Sequence, residues 1–378
     1  AYASKAFSCI AMVQLMNEEG LNLDVVSGGE LHTALTAGFP PDRIHFHGNN
    51  KSDSEISMAV QAGIGCIIAD NFHELELLEE ASRAHGKSIS VLLRTTPGIK
   101  ARTHEYIATG QEDSKFGFDL ESGQLSKALK FVLEKESFHC LGLHCHIGSQ
   151  IFDSGRFEAA IKKMYAELER RYEELGFDPE VLNLGGGFGI RYISGDAPLP
   201  ISSFIGSMIR TVESESKRIG FRLPEIWVEP GRAIAGYAGT TLYTVGSQKE
   251  IPNVRKYLAV DGGMSDNLRP ALYQAEYEGM LANRGLEPNT QTVSVAGKCC
   301  ESGDMLIWDL YLPEVKANDL LAVFCTGAYG YAMSNNYNRI PRPAVVFVED
   351  GDAQLAVRRE TYQDLVKLDL PLKQSIVP

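Results

Sequence analysis

Five short stretches carry residues whose types and spacing could do chemistry. Lys5, in Ala1-Tyr2-Ala3-Ser4-Lys5-Ala6-Phe7, ends a short strand-like run, where an amine can be held ready for a carbonyl. The plain reading of a lone lysine is an exposed surface residue. At a rim of apolar strand ends it would instead be desolvated, its pKa lowered and its amine free to form an imine. Asn183-Leu184-Gly185-Gly186-Gly187-Phe188-Gly189 leaves the backbone bare directly after an apolar strand, so its N–H groups can close around a phosphate; a flexible turn is the alternative. Glu229-Pro230-Gly231-Arg232 sets an acid and a guanidinium three residues apart. The carboxylate can keep a pyridinium nitrogen protonated and Arg232 can fork onto a phosphate or carboxylate, though a surface ion pair around a Pro-Gly turn reads equally well.

Leu143-His144-Cys145-His146-Ile147-Gly148-Ser149 puts two histidines on one face of a strand. His-x-His without a third ligand nearby is weak as a metal site, so no metal is expected. His146 suits ring stacking, Ser149 a phosphate oxygen, and His144 the core. Gly297-Lys298-Cys299-Cys300-Glu301-Ser302-Gly303-Asp304 brackets a thiol and a carboxylate with glycines, as in a loop that sets a proton donor beside a reader of cations.

The elements that must position these residues alternate in type as far as about residue 235. Strand-like runs occur at 1–4, 23–26, 44–47, 66–69, 89–94, 140–146, 181–184 and 226–229. Helical periodicity fills 8–19, 29–37, 54–62, 72–85, 122–135, 154–175 and 202–219, with Ser54 opening and Gly63 closing the third of these. Eight strands and seven helices predict a parallel (β/α)8 barrel over residues 1–239. An open doubly wound sheet is the rival, but no G-x-G-x-x-G follows the first strand. Barrel active sites form after the carboxyl ends of the strands, and Lys5, His146, Gly185–Gly187 and Glu229–Arg232 all fall there.

From 240 to 378 the strand-like runs 241–245, 257–260, 292–296, 320–324, 344–348 and 354–357, with short helical pieces at 270–275 and 362–367, predict an antiparallel β domain. The stretch 96–117 is long for a barrel loop and reads as a lid. A net charge of −13 disfavours nucleic acid and anionic membrane surfaces, and no apolar run approaches the ~20 residues of a membrane helix. Seven scattered cysteines suit free thiols in a reducing cytoplasm. The chain opens on Ala1 within an apparent strand, and the expectation is that residues precede it.

In order along nearly the whole chain, YASKAF (2–7), DVVSGGEL (24–31), GLHCHIGSQI (142–151), NLGGGFG (183–189), EPGR (229–232), VDGGMSDNLRPALY (260–273), CCESGDM (299–305) and GAYGYAMSNNYN (327–338) resemble the diaminopimelate decarboxylases, pyridoxal-phosphate enzymes of the alanine-racemase-like fold type. The resemblance implies a decarboxylase that converts meso-diaminopimelate to L-lysine with pyridoxal 5'-phosphate. Lys5 would bind the cofactor covalently and His146 would stack on its ring. Ser149, Gly185, Gly186, Gly187, Gly231, Arg232 and Tyr329 would surround the phosphate, and Glu229 the ring nitrogen. Arg232, Arg269, Tyr273 and Tyr329 would meet the substrate. Cys300, as proton donor, and Glu301, as reader of the distal ammonium, would enter from the second subunit of a homodimer. Tyr337 matches the motif without an assigned role. The alternatives are an ornithine, arginine or carboxynorspermidine decarboxylase on the same fold, or a homologue without turnover. Arg269 and Tyr273 argue against the first two, since a simple diamine producer needs no guanidinium for a distal carboxylate.

Overall fold

The computed structural model describes residues 1–99 and 114–372, so residues 100–113, the middle of the expected lid, lie outside the described residues. Two compact units divide the chain, Ala1–Gly239 and Thr240–Pro378.

In the first unit parallel strands follow one another in chain order: β1 (Tyr2–Ala3), β2 (Leu23–Val25), β3 (Ile44–Phe46), β4 (Cys66–Ala69), β5 (Ile89–Thr96), β7 (Phe138–Cys145), β8 (Val181–Asn183) and β9 (Glu225–Trp227), with β6 (Phe118–Asp119) added at the end of β5. The nitrogen of Ala1 donates to the Val228 carbonyl at 2.8 Å, and that of Ala3 to the Pro230 carbonyl at 3.2 Å. These bonds join the first strand to the chain leaving the last, as an α/β barrel requires. Helices α1 (Ile10–Glu18), α2 (Gly28–Thr36), α3 (Asp53–Ala62), α4 (Phe72–His85), α5 (Gln124–Leu133), α6 (Gly155–Leu175), α7 (Ile201–Ile219) and α8 (Arg232–Ala238) lie between or after the strands.

The cap of α3 is Ser52, not Ser54. A capping box needs an acid or amide three residues on, and Ser52 has Glu55, whose carboxylate accepts the Ser52 N–H at 2.9 Å. Gly63 ends the helix in the left-handed region at φ 72°.

Side chains alternate along each strand, so every second residue faces the barrel interior. An apolar layer of Cys66, Ile68, Leu92 and Val181 packs with Leu141 and Trp227. Toward the carboxyl ends the buried residues turn polar: Asp24, His47, Asp70, Arg94, His144, Asn183 and Glu229. Apolar packing fixes the strands, and the polar residues above it are carried on that rigid base.

The second unit holds a six-stranded sheet, ordered β12 (Gly279–Leu281), β15 (Leu320–Val323), β10 (Thr241–Ile251), β11 (Arg255–Val260), β13 (Gln291–Ala296) and β14 (Met305–Leu312). All neighbours are antiparallel except β11 and β13, which pair in parallel through Tyr257 and Ser294. A separate antiparallel ribbon joins β16 (Val345–Glu349) to β17 (Asp352–Val357), and two short helices, α9 (Arg269–Tyr273) and α10 (Tyr362–Val366), complete the unit.

Candidate active site

The carboxylate of Glu229 lies at the carboxyl ends of the barrel strands among side chains of several of them. It follows β9 and is 6% exposed. Its Oε1 accepts from Asn183 Nδ2 at 2.6 Å and lies 2.9 Å from His47 Nε2, while Oε2 lies 3.3 Å from His144 Nε2. Burial acts to raise its pKa, but the adjoining imidazoles overcome this and hold Glu229 well below the usual carboxylate range. Burial pushes His47 down to about 3 and also lowers His144, so both rings are neutral at neutral pH. Asp24 moves the other way: burial and then the Glu229 charge raise it well above its ordinary value. The ligand atoms of His47, His144 and Glu229 lie within 4.8 Å of one another, close enough for a metal ion, yet they are already joined to each other.

Lys5 sits in a single turn of 3-10 helix, Ser4–Ala6, directly after β1. Tyr2 ties the turn down by donating to the Phe7 carbonyl at 2.8 Å, and Ser4 donates to Glu30 at 2.8 Å. Contrary to a desolvated lysine among apolar strand ends, the Lys5 side chain is exposed. Its charge acts on Asp24, Glu30, His144 and His146, because the strand ends around it are polar. Gly231 packs against the same turn: a Cβ there would lie 3.0 Å from Ala3 and from Ala6.

The glycine run after β8 is dictated first by packing. A Cβ on Gly185 would come within 2.5 Å of the Cys145 carbonyl oxygen, one on Gly186 within 2.1 Å of that of Glu229, and one on Gly187 within 2.1 Å of that of Gly148. Side chains are thus barred where this turn meets the ends of β7 and β9. Two of the amides expected to hold phosphate are engaged elsewhere: Gly185 donates to Asn183 Oδ1 at 3.0 Å and Gly186 to His146 Nδ1 at 3.3 Å. Accepting at Nδ1 places the His146 proton on Nε2. Burial and then the Lys5 charge lower this imidazole well below its ordinary pKa. Arg232, the first residue of α8, is buried and donates to the Ser149 hydroxyl at 3.0 Å and to the Tyr192 hydroxyl.

In the second unit, Cys300 and Glu301 share one exposed loop. Buried Asp304 closes it by accepting from Cys299 N at 2.8 Å and Met264 N at 2.6 Å, and the Cys300 amide donates to Asn338 at 2.7 Å. Arg269 and Tyr273 mark the two ends of α9; Arg269 is buried against Tyr277, its guanidinium 5.5 Å from the ring centroid. Tyr329 is half-buried and holds φ at 59°, a left-handed conformation costly for a tyrosine and of the kind that collects at functional loops. Tyr337 is exposed.

Residues 1–236 match the family of pyridoxal-dependent decarboxylases through the model of its pyridoxal-binding domain. Diaminopimelate decarboxylase of Bacillus subtilis (strain 168) is 64% identical over 376 residues, covering 100% of this chain and 86% of that protein. The chain belongs to the diaminopimelate decarboxylase family. Among solved structures, the M. jannaschii diaminopimelate decarboxylase in complex with L-lysine superposes with a TM-score of 0.91 at 37% identity, over 98% of this chain and 84% of that one. The Helicobacter pylori enzyme complexed with L-lysine gives a TM-score of 0.87 at 30% identity, over 97% and 89%.

The family's cofactor is pyridoxal 5'-phosphate, and the donor set of the first unit fits it. Lys5 offers an amine for the aldehyde, Glu229 a carboxylate for a protonated ring nitrogen, and His146 a flat imidazole. Arg232 and Ser149 offer a guanidinium and a hydroxyl for phosphate. Four participants were missed in the sequence: His47, Asn183, Asp24 and Tyr192. A signal for His47 was present, since His45 and His47 flank the last residue of β3 as His144 and His146 flank that of β7.

Proposed function

We propose that this chain removes one carboxyl group from meso-2,6-diaminopimelate to give L-lysine and carbon dioxide, the last step of lysine biosynthesis. The 64% identity with the Bacillus subtilis enzyme, running through both units, carries this reading. Pyridoxal 5'-phosphate supplies an aldehyde for amines and a ring that takes up the electron pair left when carbon dioxide departs.

Every other task falls to the chain. Lys5 would hold the cofactor's aldehyde carbon through its amine. Glu229 would keep a proton on the ring nitrogen, and His146 would offer its imidazole to the ring. Arg232, Ser149, Tyr329 and the turn Gly185–Gly187 surround the phosphate; because the Gly185 and Gly186 amides serve Asn183 and His146, their part is to let the strand ends close up. Gly231 keeps the Lys5 turn tight against the end of the barrel. Arg269 and Tyr273 meet the distal carboxylate, with Arg232 and Tyr329 also facing substrate, and Glu301 meets the distal ammonium. Cys300 delivers a proton to the carbon that lost its carboxyl group.

Cys300 and Glu301 act across a homodimer, in the site of the other subunit. Their exposure on a loop pinned by Asp304 supports that role. The site of action is the cytoplasm, in keeping with seven free cysteines; among the described residues no helix is long and apolar enough to cross a membrane.

Carbon dioxide release measured in parallel from meso-diaminopimelate, L-ornithine and L-arginine tests the assignment. Turnover of the first alone is expected, because a substrate lacking the distal carboxylate forgoes its bonds to Arg269 and Tyr273, worth ~1–3 kcal/mol. Turnover confined to ornithine would overturn it.

A further inference from the structure

Three neighbouring strands bring polar groups to Glu229: Asn183 on β8 donates to Oε1, His144 on β7 bonds Oε2, and His47, just past the end of β3, lies 2.9 Å from Oε1. We infer that His47 and His144 are positioning residues. As neutral imidazoles, His144 bonded through Nε2 to one oxygen of Glu229 and His47 set against the other, they hold the carboxylate in place and leave its negative charge whole for the cofactor's ring nitrogen. This rests on the reading above, in which Glu229 partners that nitrogen.

Geometry carries the inference. Asn183 bonds Oε1 and His144 bonds Oε2, with His47 Nε2 2.9 Å from Oε1, so the carboxylate can turn toward neither side without losing a bond. The two rings meet edge to face with centroids 4.9 Å apart, so each restricts the other's rotation. His144 Nδ1 is buried with no hydrogen-bond partner in the structure. An imidazolium there would bury a second N–H against no acceptor, whereas the neutral ring with its proton on Nε2 leaves only the Nδ1 lone pair without a donor. Two imidazolium ions would also cancel the Glu229 charge and weaken its hold on a proton.

The other groups acting on Glu229 or its histidines come from every neighbouring element. Arg94 on β5 and Lys5 after β1 are cationic; Asp24 on β2, raised by burial, lies 3.6 Å from His47 Nε2. His45 on β3 and His146 after β7 are lowered and neutral, and the thiols Cys66 on β4 and Cys145 on β7 are raised by burial.

The test follows the protonation of the ring nitrogen directly. Holoenzyme is reconstituted with pyridoxal phosphate labelled with 15N in the ring, and its NMR signal is followed against pH. The wild type should stay protonated well into the alkaline range. His47→Leu, which lets Glu229 take the proton itself, should cost about 10- to 100-fold in protonation of the ring nitrogen. His47→Gln, which keeps a donor N–H near the same place, should recover most of it. If His47→Leu does not fold, the 15N signals of the histidines in wild-type holoenzyme decide: both rings should be neutral with the proton on Nε2 at pH 7. An imidazolium at either position, a His47→Leu midpoint equal to that of the wild type, or a stoichiometric metal ion lost in that variant would overturn the inference. Glu229→Gln separates the two levels. If that variant keeps the ring nitrogen protonated, the pairing with Glu229 itself is wrong; if it loses the proton while His47→Leu keeps it, only the clamp is wrong.

Discussion

Replacing Gly186 by alanine should cost stability and activity together, and the structure sets the scale. The added Cβ would sit 2.1 Å from the carbonyl oxygen of Glu229 and 2.9 Å from its carbon. Ordinary contact begins near 3.4 Å, so the turn after β8 and the end of β9 must part by about 1.3 Å. That displacement exceeds the slack in the Asn183–Glu229 bond, which is 2.6 Å long, and in the 2.8 Å bond from Glu229 N to Gly185 O. Overpacking of this kind costs about 1–3 kcal/mol. A ~1 Å misplacement of a group serving the reacting centre can cost ~100-fold in rate. The thermal midpoint of the apoprotein and kcat/KM for carbon dioxide release measure the two effects. Gly195→Ala is the control, since nothing lies within 4 Å of a Cβ at that position. If Gly186→Ala melts and turns over like Gly195→Ala, the strand ends do not close as described and the packing origin of the glycine run is refuted.

Two further outcomes concern stability. Lys51 and Glu74 form a buried ion pair at 2.7 Å, with Lys51 also donating to the carbonyls of Gly48 and Ile68. Glu74→Gln should destabilise the protein by ~3–5 kcal/mol in urea unfolding, because it strands a buried ammonium; a loss of only ~0–1 kcal/mol, that of an exposed pair, would contradict this. His45, stacked on Trp227 with ring centroids 4.6 Å apart, is pushed down to about 4 by burial. Below pH ~6.5 the unfolded chain takes up a proton there that the native protein refuses, so native stability falls as pH drops, until the native ring titrates near 4. His45→Phe should lose less stability than the wild type between pH ~6.5 and ~4.5, by about 2–3 kcal/mol. Equal pH profiles in urea unfolding would count against it.

The barrel was legible because each of its strands is a short apolar run flanked by strongly periodic helices; α4 spans Phe72–His85, the bounds its periodicity predicts. The second unit was less so. β14 reads Met-Leu-Ile-Trp-Asp-Leu-Tyr-Leu, but Asp309 takes φ 53° and the pairing with β13 shifts register nearby, so no clean alternation marks the strand. β12 is only three residues long and starts on glycine. The parallel pairing of β11 with β13 is a matter of chain routing that no local pattern records. In the site, Lys5, Glu229 and Arg232 stood out by residue type and by position after strands. His47 and Asn183 did not, because their role lies in a partner reached only when β3, β8 and the end of β9 come together. The exposure of Lys5 was likewise hidden: the strand ends around it carry Asp24 and His144, and which residues face inward depends on the register of the closed barrel.

One measurement bears most directly on the central claim, that Lys5 is the residue to which pyridoxal phosphate is attached in this decarboxylase. Purified protein, reconstituted with the cofactor and reduced with borohydride, is digested and its peptides mapped. The expected result is a single pyridoxyl group on the peptide containing Lys5, with Lys5→Ala left unlabelled. A label on any other lysine, or Lys5→Ala labelled as fully as the wild type, would contradict the account.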